Sequence, residues 1–242
     1  MPRFFTEGLP EQQPGGQIII TGEDARHISA SLRMRPGEEV EICDGRLTDY
    51  FCVITGVSAE QAEMQVIRRA ANTAELPATL KLFIALPKSD KMELIIQKAV
   101  ELGASHVVAV LTNRCIARPK PQEWQAKLPR MQKIARAAAM QSGRGVIPQV
   151  ERLHSYSEAL EAMRRHEQAA LFYEAGGQPL RDIIAPGQGS VALLVGSEGG
   201  FEPAEVTQAQ EQGICIATLG PRILRCETAA IAACALAAEL LG

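Results

Sequence analysis

The feature that most constrains the fold is a change of hydropathy rhythm near residue 75. Before it, short apolar or alternating runs stop at turn residues. Residues 18–20 end at Thr21-Gly22, 39–43 at Asp44-Gly45 and 50–55 at Gly56, and 62–67 alternate again. Short strands at this spacing predict a small β-barrel, interrupted by one helix over residues 23–34 that stops at Pro36-Gly37. After it, apolar runs at 80–86, 107–111, 169–172, 190–195 and 215–219 alternate with helical patterns at 91–102, 122–141, 157–166, 203–212 and 227–241. That alternation predicts an α/β domain with a largely parallel sheet covered on both faces. Residues 72–77 run from polar residues into proline, which sets the expected boundary: residues 1–72 for the barrel and 73–242 for the α/β domain. Pro129, inside the long helical stretch, predicts a break or kink there.

Net charge excludes less than its value suggests. The formal −3 argues against a uniformly basic nucleic-acid binder. Divided along the chain, however, residues 1–72 carry −4, residues 114–152 carry +7 and residues 166–242 carry −6. At about 100° per residue, Arg130, Lys133 and Arg136 share one helical arc while Met131, Ile134, Ala135 and Ala138 occupy the opposite one. Such a row can neutralise phosphates, and a solvated helix face is the plainer reading of the same pattern.

Other classes are excluded more simply. No apolar run approaches the roughly 20 residues that a membrane span needs. The first residues build no apolar h-region, so no secretory signal is expected. Six cysteines without a C-x-x-C pair, accompanied by four histidines, argue against zinc or a disulfide framework. Scattered thiols without an export signal suggest the cytoplasm.

Three segments carry the chemistry. Leu194-Val195-Gly196-Ser197-Glu198-Gly199-Gly200-Phe201 is a buried strand running into a glycine turn. It lacks the lysine of a P-loop and the G-x-G-x-x-G spacing, so by itself it reads as a tight strand-to-helix turn. Leu219-Gly220-Pro221-Arg222-Ile223-Leu224-Arg225-Cys226-Glu227-Thr228 is an irregular turn with two arginines, and Met140-Gln141-Ser142-Gly143-Arg144 is a polar loop after the basic helix.

Together these segments resemble the RsmE family of SPOUT methyltransferases. Further matches are Lys91-Met92-Glu93, the run from Gln97 to Gly103, Asn113-Arg114-Cys115, and Leu32-Arg33-Met34-Arg35-Pro36-Gly37 followed by Asp44-Gly45. The resemblance spans essentially the whole chain. One departure is Ser197, where the family reads Gly-Pro-Glu-Gly-Gly.

The resemblance implies a SPOUT domain with a deep C-terminal trefoil knot, an N-terminal PUA-like RNA-binding barrel and a homodimer. It implies methylation of N3 of one uridine, 1498 in the usual numbering, in 16S rRNA of the small ribosomal subunit, with S-adenosylmethionine as donor. No metal and no membrane are implied. Cofactor contacts are expected from Phe172, Val195, Gly196, Glu198, Gly199, Gly200, Leu219, Gly220, Ile223, Leu224, Arg225 and Thr228. RNA contacts are expected from Arg33, Arg114, Arg130, Lys133, Arg136, Gln141 and Arg144. Arg225 or Arg144 would stabilise negative charge on uracil, and Glu198 is the carboxylate best placed to help remove the N3 proton. A SPOUT enzyme for another RNA nucleotide, or a silent RNA-binding assembly factor, are the alternatives.

Overall fold

The computed structural model of the protein describes residues 1–88, 91–187 and 189–242, which divide into two units. The first comprises Met1–Glu75 and Ala139–Ile147. Its elements are β1 (Arg3–Phe5), β2 (Gln17–Thr21), a short helix α1 (Gly22–Arg26) that widens into a π-turn over His27–Ser31, β3 (Glu39–Cys43), β4 (Thr48–Val57) and β5 (Gln61–Ala71). The strands form one sheet in the order β1-β3-β4-β5-β2, antiparallel except for the parallel pair β1–β3. Strands β2, β3 and β5 bury alternate residues, and Ile18, Ile20, Val40, Ile42, Ala62, Met64 and Val66 meet Phe4, Ile28 and Tyr50 in a single core. The β4–β5 register shifts twice, after Phe51 and after Ile54, which bends a long hairpin into a half-barrel.

The second unit comprises Leu76–Ala138 and Pro148–Gly242. It runs β6 (Thr79–Ala85), α2 (Lys91–Glu101), β7 (His106–Leu111), α3 (Pro121–Gln141, whose last three residues belong to the first unit), β8 (Gln149–Val150), β9 (His154–Ser155) and α4 (Tyr156–Met163). It continues with β10 (Gln168–Phe172), β11 (Gln178–Pro179), β12 (Ser190–Val195), α5 (Pro203–Glu211), β13 (Cys215–Thr218) and α6 (Cys226–Leu241). The sheet order is β11-β13-β10-β12-β6-β7-β8, with β9 also pairing β7, and every pair is parallel. Both faces are covered. Phe83, Val108, Leu171, Ala192 and Leu194 pack under α4 and α5, while the intervening Leu82 and Ile84 are buried on the face where α6 lies on β6 and β12 beside α2.

Three expectations differ from the structure. The helix predicted over 23–34 is shorter, and Arg33 has a positive φ of 53° just before Pro36. The break at Pro129 is absent, because α3 runs through it as one helix. Finally, the segment 139–147 returns to the first unit rather than staying with the α/β domain, so the division is not a single cut at 72/73.

Candidate active site

Three loops leave the C-terminal ends of neighbouring parallel strands and enclose an open pocket. The end of β10 supplies Phe172, Tyr173 and Glu174, the end of β12 supplies Val195, Gly196, Ser197 and Gly200, and the end of β13 supplies Thr218, Leu219, Gly220, Arg222, Ile223 and Leu224. Cys226 and Ala229 of α6 complete it, and it measures about 530 Å³ including its mouth. Loops at the carboxyl ends of a parallel sheet are where such folds bind ligands.

The glycine turn has a local cause for its composition. Ser197 and Gly200 pair as an isolated bridge, the Gly200 N–H donating to the Ser197 carbonyl at 3.0 Å. Gly200 has φ +65°, and a Cβ there would stand 2.5 Å from Glu174 Oε1. At Gly196 a Cβ would press on Gly200 Cα and Phe201 Cε2, both at 3.2 Å. At both positions a side chain would collide with neighbouring atoms, so glycine is what the turn accommodates.

Charge is arranged beside the pocket. The Lys91 ammonium lies 2.9 Å from Glu198 Oε1 and 3.1 Å from Glu227 Oε2. The Lys88 N–H donates to both Glu198 oxygens at 3.3 Å. Burial works against ionisation of Glu198, but the Lys91 ammonium and backbone N–H groups prevail and hold its carboxyl below the usual range. Glu227 is lowered chiefly by its own backbone N–H, at the start of α6, together with Lys91. Burial and the neighbouring Glu227 push the Cys226 thiol up to about 12, so it stays protonated at neutral pH. Arg114 donates to the Gly199 carbonyl at 3.0 Å, tying the glycine turn to the loop after β7. Next to it, the Asn113 N–H donates to Glu205 Oε1 at 2.8 Å and the Tyr156 hydroxyl to the Glu205 carbonyl at 2.6 Å, which anchors α5.

Of the expected cofactor residues, Phe172, Val195, Gly196, Gly200, Leu219, Gly220, Ile223 and Leu224 line the pocket together. Glu198, Gly199, Arg225 and Thr228 do not. Glu198 is turned to Lys91, and Arg225 is the exposed N-cap residue of α6. Ser197, Arg222 and Cys226 fall within the two loop segments already singled out, whereas sequence reasoning missed Tyr173, Glu174, Thr218 and Ala229. Their one legible signal was position: each stands beside a residue or turn already singled out at a strand end.

The expected RNA residues fall into two groups. Arg130 and Lys133 are exposed on α3 with Arg136 half-buried beside them, and Arg130 pairs with Glu93 at 2.8 Å. Arg33, Arg114 and Gln141 are exposed. Arg144 is different. Only 2% of its side chain is exposed, and its Nε and Nη2 donate to the Glu75 carboxylate at 2.7 and 2.6 Å within the first unit. Its guanidinium is structural in this arrangement, and it is not among the residues of the pocket.

Comparison with known proteins identifies the arrangement. Residues 74–238 match the RNA methyltransferase domain family, and residues 20–67 match the RNA methyltransferase PUA domain family. The ribosomal RNA small subunit methyltransferase E of Bacillus subtilis is 33% identical over 252 residues, covering 100% of this chain and 98% of that protein. The chain belongs to the RsmE family of ribosomal RNA small subunit methyltransferases. The family member from Neisseria gonorrhoeae, solved with S-adenosylmethionine bound, superposes with a TM-score of 0.89 at 33% identity, covering 100% of this chain and 98% of that one. A Legionella pneumophila protein in complex with the same cofactor gives 0.88 at 27% identity, covering 98% and 96%. The α/β unit thus has the SPOUT-like architecture, and the half-barrel is PUA-like.

Proposed function

We propose that the chain transfers the methyl group of S-adenosylmethionine to N3 of uridine 1498 in 16S rRNA, as a cytoplasmic homodimer whose C-terminal trefoil knot encloses the donor. The observation that carries this reading is the pocket at the ends of β10, β12 and β13, in a chain that matches the RsmE family from end to end.

The residues present fit the donor. Phe172, Val195, Leu219 and Leu224 offer apolar walls for an adenine ring, and Gly196, Gly200 and Gly220 add no side chains to the lining, so a ligand can approach the main chain closely. When bound, S-adenosylmethionine supplies a methyl group activated on a sulfonium sulfur.

The chain's own residues then have distinct tasks. Uracil N3 carries a proton that passes to solvent water as the methyl arrives, while the sulfonium sulfur leaves as the neutral thioether of S-adenosylhomocysteine, so negative charge grows on the base as the proton departs. Arg225, exposed one residue before the pocket-lining Cys226, is the cation we assign to that charge. Arg144 is withdrawn from this role because its donors already serve Glu75. Glu198 is assigned to holding the glycine turn rather than to taking the proton, since Lys91 lowers its basicity. Lys133 and Arg136 on α3 are assigned to rRNA phosphates. The dimer reading is supported by apolar exposure around the pocket end and on α6, with Ile223 87% and Leu236 48% exposed.

The test is incubation of the purified protein with labelled S-adenosylmethionine and small ribosomal subunits that lack the modification. Label is expected in the 16S rRNA. Folded protein that binds the donor but transfers nothing would overturn the reading in favour of a silent RNA-binding factor.

A further inference from the structure

Lys91 opens α2, and its ammonium sits between carboxylates of two other segments. Glu198 belongs to the glycine turn after β12, at 2.9 Å, and Glu227 to the first turn of α6, at 3.1 Å. Both segments are walls of the pocket. Ser197, immediately before Glu198, lines it, and so does Cys226, immediately before Glu227. Among the described residues no other ion pair joins the glycine turn to α6. The helix has no side-chain hydrogen bond at its N-cap, Arg225, so the helix start takes no anchor from that side chain. The three side chains are 30%, 29% and 16% exposed, partly withdrawn from water, where charge-assisted contacts hold better than on an open surface.

We propose that Lys91 is a positioning residue for methyl transfer: its ammonium fixes the glycine turn and the first turn of α6 at the separation that S-adenosylmethionine requires. This rests on the reading of the pocket as the donor site. The balance of charge gives the clamp a signature that packing alone would lack. One cation holds two anions. Without it, Glu198 and Glu227 share a site with nothing between them, and their repulsion drives the two walls apart. A loss caused by removing Lys91 is then reversible by removing one of the carboxylates.

The experiment is calorimetric titration of the full chain with S-adenosylmethionine, for wild type, Lys91→Met, Lys91→Arg and the double variant Lys91→Met with Glu227→Gln. Lys91→Met is expected to weaken donor binding roughly tenfold, as befits two charge-assisted contacts. Lys91→Arg, which keeps the cation, should recover most of that loss, and the double variant part of it. In turnover, KM for the donor should rise more than kcat falls. Donor affinity unchanged in Lys91→Met, or a double variant as weak as Lys91→Met, overturns the clamp. Should Lys91→Met fail to fold, Glu198→Gln removes one arm and leaves Lys91 paired with Glu227. It should still weaken binding, and wild-type affinity there also overturns the clamp. A wild-type protein that takes up no donor overturns the pocket reading and the clamp with it. A wild type that binds while Lys91→Met matches it overturns the clamp alone.

Discussion

Arg144 contributes one of the charges that make residues 114–152 basic, yet it is among the most buried side chains of the protein. Its partner, Glu75, lies 69 residues away in sequence, so no local pattern could announce the pair. A charge count treats every arginine as solvated, and here that assumption fails because folding brings one carboxylate onto one guanidinium. Breaking a buried pair from one side leaves a charge without compensation. Arg144→Ala should therefore cost about 3 kcal/mol of stability, read from urea unfolding. Methyl transfer per folded molecule should survive; normal stability with lost transfer would return Arg144 to the reaction. Arg225 should behave in the opposite way. It is exposed and its replacement by alanine should leave stability nearly unchanged. Turnover on small subunits should fall about 100-fold with donor affinity retained, the loss expected when a donor to a developing anion is removed. Equal turnover would remove Arg225 from the site.

Elements were legible where their signals are local. The five core strands of the parallel sheet announce themselves as apolar runs, and glycine or proline marks most of their ends. The loops at Gly196, Gly200 and Gly220 were legible as turns for the same reason, and as a cofactor site only through the family resemblance. β1 was not legible. It has three residues and takes its pairing from β3, about 38 positions on, through a parallel register that no turn encodes. Pro129 does not break α3, because proline removes one helical donor without preventing neighbours from continuing the helix when one face is held, as Met131, Ala135 and Ala138 are. On the opposite face, Lys133→Glu with Arg136→Glu should weaken binding to small subunits and flatten its dependence on salt, while calorimetry with S-adenosylmethionine stays unchanged. Unaltered RNA affinity would make this a solvated face. α4 offers a pH test. Its capping box joins Ser155 and Glu158, and backbone and side-chain hydrogen bonds to Ser155, with Arg152, hold the Glu158 carboxyl down at about 2. Because that value is depressed, the stabilisation is complete above about 4.5 and is lost as pH falls toward 2. Glu158→Ala should cost about 1 kcal/mol at pH 7, and the gap from wild type in urea midpoint should narrow by pH 3. A gap independent of pH would show that the cap does not act through charge.

At the scale of the whole molecule, the change of rhythm near residue 75 separates two kinds of work. The half-barrel belongs to a PUA-type family, and the α/β unit to a methyltransferase family. The overall charge of −3 conceals this division, because an acidic first segment and an acidic C-terminal segment offset the basic stretch 114–152, part of whose exposed charge lies on α3. Basic charge is thereby concentrated in one stretch of the chain instead of being spread evenly, an arrangement that would favour a chosen site over RNA in general. The return of residues 139–147 to the first unit was outside the reach of sequence pattern, since it depends on contacts such as Asn72 Nδ2 donating to the Gly143 carbonyl at 2.9 Å. The proposed reaction puts one methyl group on N3 of one uridine. The most direct measurement is mass spectrometry of 16S rRNA from unmodified small subunits after incubation with the protein and S-adenosylmethionine. The account predicts one new methyl group, on N3 of uridine 1498. A methyl group on another nucleotide, or none with folded and donor-bound protein, would contradict it.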